Sequence, residues 1–260
     1  MQESTSKNHQ DFLRQIITIA AIIAAFGINA ISNIFPFGGQ SIGEISNTVF
    51  RDVLIIPANY AFAIWGLIYL GLFGLGIYQI LPAQREDGNL RQAGYPIVLA
   101  SVAQCVWVYL FLSRLFIPSV LAMLVIVLSL ITAYLRLGIA ITPVSRVRKW
   151  CVHLPISIYL GWISVASIVN VACALYSQNW DGWGISGELW AVIMVIVATG
   201  LGCAVALRRQ DIAYPGVIIW AIVAVAIKHS TYSTLKTTSL GCGIVLAIAI
   251  FLQIRKPRTA

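Results

Sequence analysis

Phe62, Trp65 and Tyr69 stand at i, i+3 and i+7, and Gln104, Trp107 and Phe111 repeat that spacing. Tyr159 is followed one turn later by Trp162, and Trp162, Ala166 and Asn170 fall at i, i+4 and i+8. On a helix these spacings gather side chains along one face. Their rings offer large flat apolar contacts, a carboxamide orients a few polar atoms, and the small Ala166 leaves space between a ring and an amide. The chemistry this suits is binding of a flat hydrophobic molecule. The same residues also suit plain helix packing, with Gln104, Asn170 and the Asn29/Asn33 pair hydrogen-bonded between helices, because an amide in hydrocarbon is costly without a partner. Bond-making chemistry finds no support: the apolar stretches carry no carboxylate pair, Ser-His-Asp set, metal-ligand cluster or phosphate-binding glycine loop. His153 and His229 fall at the edges of such stretches and read as interfacial side chains. The chain is expected not to be an enzyme.

The elements that position these residues follow from composition. Hydrophobic residues make up 59% of the 260 and charged ones 10%, against roughly 25% charged in soluble domains. Mean hydropathy is +0.87. These values specify an all-α, polytopic transmembrane helical bundle. Eight apolar stretches near 16–34, 57–80, 95–112, 117–135, 154–176, 188–207, 214–232 and 238–253 approach the roughly 20 residues a membrane helix needs. The last division is the least marked, because Lys228, His229 and Lys236 interrupt the apolar run without a Gly/Pro turn, and seven spans is the alternative count. The first stretch is too long for a secretory signal core and no small-residue cleavage site follows, so it reads as a retained helix. Cys105, Cys151, Cys173, Cys203 and Cys242 lie singly and read as small packing residues.

Basic residues set the orientation. With the amino terminus inside, only Arg51, Arg114, Lys228 and Lys236 of the 17 lysines and arginines fall outside. The inner set includes Lys7 before the first span and Arg255, Lys256 and Arg258 after the last. Both termini are therefore expected in the cytoplasm. The net charge of +8 is a topology signal and an attraction for anionic lipid, with no nucleic acid as partner. The loop 35–56 and the Trp180/Trp183 segment then lie outside. Trp180, Trp183 and Trp190 suit the headgroup belt, or a lid over a pocket. Lys228, ionisable at membrane depth, suits a retinal Schiff base or an ion-coupled path, but its long stem near the surface also suits snorkelling to water.

The residues from Pro57 to Tyr69, PANYAFAIWGLIY, resemble the proline-led second helix of the tryptophan-rich sensory protein/translocator protein family, TspO/MBR, which includes the peripheral-type benzodiazepine receptor. QCVWVYLF, Gln104 to Phe111, is similar to that family's third-helix pattern, and YLGWISVASIVN, Tyr159 to Asn170, to its fifth-helix Tyr-x-x-Trp-x-x-x-Ala-x-x-x-Asn. The three motifs occur in the family's order. The departures are single Pro57 in place of paired prolines, a Phe62-to-Trp65 spacing one residue short, Gln104 in place of Asn, and a proline displaced to Pro155.

The resemblance implies a five-helix ligand-binding unit over 1–177, with a pocket closed by the loop after the first span, and additional transmembrane helices over 178–260. It implies a non-covalently bound porphyrin or other tetrapyrrole, and action as a sensor or translocator. Ligand-binding residues carried over are Phe62, Trp65, Tyr69, Gln104, Trp107, Phe111, Tyr159, Trp162, Ala166 and Asn170, with no catalytic or metal-binding residue. Some members bind cholesterol, and an L-x-Y-x-R-like pattern surrounds Tyr134 between Leu130 and Arg136. The expected location is a bacterial inner membrane, as a multi-pass protein in contact with lipid. The glycines Gly66, Gly71, Gly74 and Gly76, then Gly200 and Gly202, suit close helix packing or a homodimer. The alternative function is secondary transport of a small metabolite.

Overall fold

A computed structural model describes residues 2–255, with side chains from residue 9 onward. The basic residues Lys7, Lys256 and Arg258 of the orientation argument lie outside the described residues or side chains. Nine helices organise the described chain: α1 Gln2–Ile34, α2 Ile42–Thr48, α3 Ile64–Ile80, α4 Gly88–Leu112, α5 Phe116–Arg136, α6 Leu154–Ser177, α7 Gly187–Arg209, α8 Ala213–Lys228 and α9 Ser233–Arg255. A 3-10 turn, Asn59–Ala63, leads into α3, and a π-helical segment, Lys149–His153, into α6. The chain is an all-helical, multi-pass membrane protein. Seven helical stretches are long and apolar enough to cross a bilayer, judged by length and composition. The eighth, α8, has 16 residues, about 24 Å at 1.5 Å per residue, against roughly 30 Å of hydrocarbon.

The doubtful division between the last two stretches is resolved by a tight turn. Helix α8 stops at Lys228, the His229 and Tyr232 amides bond back to Val225 O and His229 O, and α9 restarts at Ser233. The final helix thus begins five residues earlier than its apolar pattern indicates, with Lys236 in its first turn. Local signals fix several other ends. Asp87 caps α4 by accepting from the Asn89 and Leu90 amides, and Ser186 caps α7 through the Leu189 amide. Glu188 opens α7 and Arg208 and Arg209 close it, matching the helix dipole at both ends.

Contacts divide the chain into two compact units, whose boundaries differ from the division at residue 177 drawn from family likeness. Unit 1 comprises Met1–Ser41 and Trp65–Leu160, and unit 2 comprises Ile42–Ile64 and Gly161–Ala260. In unit 1, α4 packs on α5 and on α1. Pro96 lies inside α4 and lacks the N–H that would bond to the Gln92 carbonyl. Arg136 Nη1, at the end of α5, donates to that carbonyl at 2.8 Å. Where α3 meets α6, a Cβ on Gly71 would lie 2.8 Å from Pro155 Cβ. In unit 2, α9 packs on α7 and α8, α7 packs on α8, and α8 touches the 3-10 turn. A Cβ on Gly161 would meet the Tyr214 carbonyl at 3.0 Å, which brings α6 and α8 into close contact. The segment after the first span is folded, not merely exposed: Ile45, Phe50 and Ile56 are buried.

Candidate functional site

Two of the ring groups in unit 1 hold candidate residues. Trp65 stacks on Tyr69, with centroids 5.6 Å apart and planes at 26°, and meets Tyr159 edge-on at 5.9 Å. The Tyr69 hydroxyl donates to Ala25 O at 3.1 Å, tying α3 to α1. Phe26 of α1 joins this cluster, 5.3 Å from Tyr69 and 5.2 Å from Phe73. Spacing did not single out Phe26, which is flanked in α1 by alanine, glycine and isoleucine. The second group is Trp107 stacked on Phe111 at 5.1 Å, with Phe116 of α5 5.3 Å beyond.

Gln104, Trp107 and Phe111 are all buried on α4, as their spacing requires. Gln104 is only 1% exposed, and neither Oε1 nor Nε2 has a hydrogen-bond partner among the described residues. This departs from the expectation that a buried amide would bond across helices. It leaves in apolar surroundings a group with two donor hydrogens and an acceptor, at a cost of about 1–3 kcal/mol. The Asn29/Asn33 pair of α1 behaves differently, because Asn33 Nδ2 donates to Asn29 O at 2.8 Å and the pairing is local.

Phe62, Trp162, Ala166 and Asn170 belong to unit 2. The chain after Pro57 forms a 3-10 turn, Asn59–Ala63, and α3 starts at Ile64. Phe62 packs edge-on against Trp162 at 5.8 Å. Asn170 is buried and Ala166 half-buried on α6.

Several polar side chains in unit 2 make contacts between distant segments. Lys228 Nζ donates to Asn47 Oδ1 at 3.1 Å, Asn47 Nδ2 donates to Asn59 Oδ1 at 2.8 Å, and His229 Nε2 lies 3.0 Å from Ile56 O. Lys228 is thus held by the segment that follows the first span, a partner that sequence spacing does not reveal. Trp180, Trp183 and Trp190 form a mutual cluster at 5.3–6.1 Å, with Trp190 Nε1 donating to Gly182 O at 2.9 Å. Trp183 is 76% exposed, which suits an interfacial anchor.

At the end of unit 1 where α4 begins, Arg148 forms a fork with the Asp87 carboxylate. Burial pushes the Asp87 carboxyl up, but its bonds from Arg148 and the Leu90 and Asn89 amides outweigh this and hold it below the usual carboxylate range. A depressed folded-state value means the stabilisation is present above the unfolded-state value, about 3.9, and is lost as pH falls through the folded one. Wild-type protein in detergent is therefore expected to lose thermal stability below about pH 4 more steeply than Asp87→Asn. Equal slopes in a melting series would refute this.

The sequence matches, over residues 15–252, the family described as TSPO-like protein, and the match takes in the helices beyond residue 177. No curated protein and no solved structure matches the chain.

Proposed function

From the premise that this chain belongs to the TSPO-like protein family, we propose that it binds a flat hydrophobic ligand of the tetrapyrrole class within unit 1, as a sensor or translocator. The observation that carries this reading is the Gln104 carboxamide, buried without a hydrogen-bond partner among the described residues on the face that also bears Trp107 and Phe111. A native helix bundle satisfies its buried amides, and one left unsatisfied suits a ligand that supplies the missing donor or acceptor. Trp65, Tyr69 and Tyr159 supply further ring surface in the same unit. Phe62, Trp162, Ala166 and Asn170, also assigned to the ligand by resemblance, are tested by the same titration. Both termini on the cytoplasmic side of a bacterial inner membrane, and a homodimer, complete the proposal; the first rests on the placement of basic residues.

The test is titration of detergent-purified protein with protoporphyrin IX, followed by tryptophan-fluorescence quenching. Wild type is expected to saturate, and Trp65→Ala to bind about tenfold more weakly, since truncating one ring of a stacked set removes contacts worth about 1.5 kcal/mol. Trp183→Ala, at an exposed site in unit 2, is expected to leave the affinity unchanged. Linear quenching that ignores Trp65 would mean partitioning alone. Saturable metabolite flux into liposomes would favour secondary transport.

A further inference from the structure

The end of unit 1 at which α1 begins its buried course, α3 ends and α4 begins carries a dense guanidinium cluster that the ring-lined region does not use. Arg91 grips Asp11 with both arms of its fork, Nε lying 2.8 and 3.0 Å from the two carboxylate oxygens. Asp87 is likewise occupied, by Arg148 and by the Asn89 and Leu90 amides. Both carboxylates at the centre of the cluster are thus engaged.

Arg14 stands among them, 3% exposed, its stem passing so close to Gly94 that a Cβ there would lie 2.8 Å from Arg14 Cδ. Its Nη2 donates to Arg85 O at 3.1 Å. Its Nη1 is 3.6 Å from Asp11 Oδ1, near enough for charge attraction but too far for a hydrogen bond. Neither Nη1 nor Nε has a hydrogen-bond partner among the described residues, and Arg148 Nε shares that condition. Among the described residues, the charges set against Arg14, Arg91 and Arg148 are the Asp11 and Asp87 carboxylates and the exposed Glu86. Buried guanidinium donors without acceptors are costly, and an anion with several oxygens is the group that planar N–H forks match best. The Arg91 side chain is 39% exposed, so the cluster opens to water at that edge.

We propose that this end of unit 1 is a binding site for a phosphate-bearing anion, with Arg14 and Arg148 as donors and Arg91 at its mouth. The phosphate belongs either to an anionic lipid headgroup or to a free ion. Positive-inside charge puts this end on the side where anionic headgroups are abundant. The inference is independent of the aromatic-ligand reading, because it concerns different residues and a different ligand class.

The full-length protein in detergent tests it by native mass spectrometry with phosphatidylglycerol or phosphatidylcholine, and by melting with inorganic phosphate. The expected result is retention of phosphatidylglycerol over phosphatidylcholine, weakened roughly tenfold or more in Arg14→Gln, since a charge-assisted hydrogen bond is lost. Arg91→Gln guards against misfolding of that variant: it releases Asp11 to pair with Arg14, so the fold survives while affinity for the anion falls. Lipid preference without a phosphate-induced melting shift identifies the headgroup as source. A shift with phosphate as well means the phosphate group suffices. No preference and no shift in wild type, or a preference unchanged in both variants, would overturn the site.

Discussion

Gln104→Leu is expected to raise the thermal stability of the ligand-free protein and, in the same molecule, to weaken protoporphyrin IX binding about ten- to a hundredfold. The two effects share one cause. Gln104 is buried, and its amide has no hydrogen-bond partner among the described residues. Exchanging it for an apolar side chain of similar size removes a desolvated polar group that gains nothing in the empty state, worth about 1–3 kcal/mol. On the ligand reading proposed above, the bound state would instead lose a bond from the amide to a polar atom of the ligand. A purely structural amide predicts the opposite first effect, because cutting an interhelical hydrogen bond destabilises. Melting in detergent and the fluorescence titration, on the same preparation, decide between them. Lower stability with unchanged affinity would remove Gln104 from the ligand site.

Gly71→Ala is expected to cost about 2–3 kcal/mol of stability, whereas Gly74→Ala, three residues on in the same helix, is expected to add up to about 1 kcal/mol. The chemistry of the two changes is identical and the surroundings differ. A Cβ on Gly71 would lie 2.8 and 2.9 Å from Pro155 Cβ and Cγ and 3.4 Å from its Cα, whereas one on Gly74 meets nothing within 4 Å. The pyrrolidine ring cannot swing aside as a flexible side chain would, so α3 and α6 must separate and the contacts around Trp65 and Tyr159 loosen with them. On the ligand reading proposed above, Gly71→Ala is therefore also expected to weaken protoporphyrin IX binding. Equal melting midpoints for the two variants would show that α3 and α6 are not in the close contact described.

The glycines of α3 show how far a sequence can be read. Gly66, Gly71, Gly74 and Gly76 look alike as a small-residue pattern suited to close packing, yet only Gly71 lies against a rigid neighbour. The same distinction runs through the candidate site. Trp107 and Phe111 were legible because a helical face follows from spacing alone. Phe62 was placed with Trp65 and Tyr69 by the same arithmetic, but its edge-on contact with Trp162, from a 3-10 turn ahead of α3, is one that no spacing reveals. Phe26 was not singled out by spacing, since its role depends on α1 lying beside α3.

Composition and apolar periodicity, which are properties of single segments, determined by themselves that this is a helical multi-pass membrane protein, nearly where its helices run, and that Trp107 and Phe111 share a face. Tertiary structure alone decided that, among the described residues, Gln104 is buried without a hydrogen-bond partner, that Arg14 keeps unmatched donors, and that Lys228 is held by Asn47. The physical reason is that a helix face is set by local backbone geometry, whereas the satisfaction of a buried polar group depends on which atoms of distant segments come within about 3 Å, and no local pattern encodes that distance.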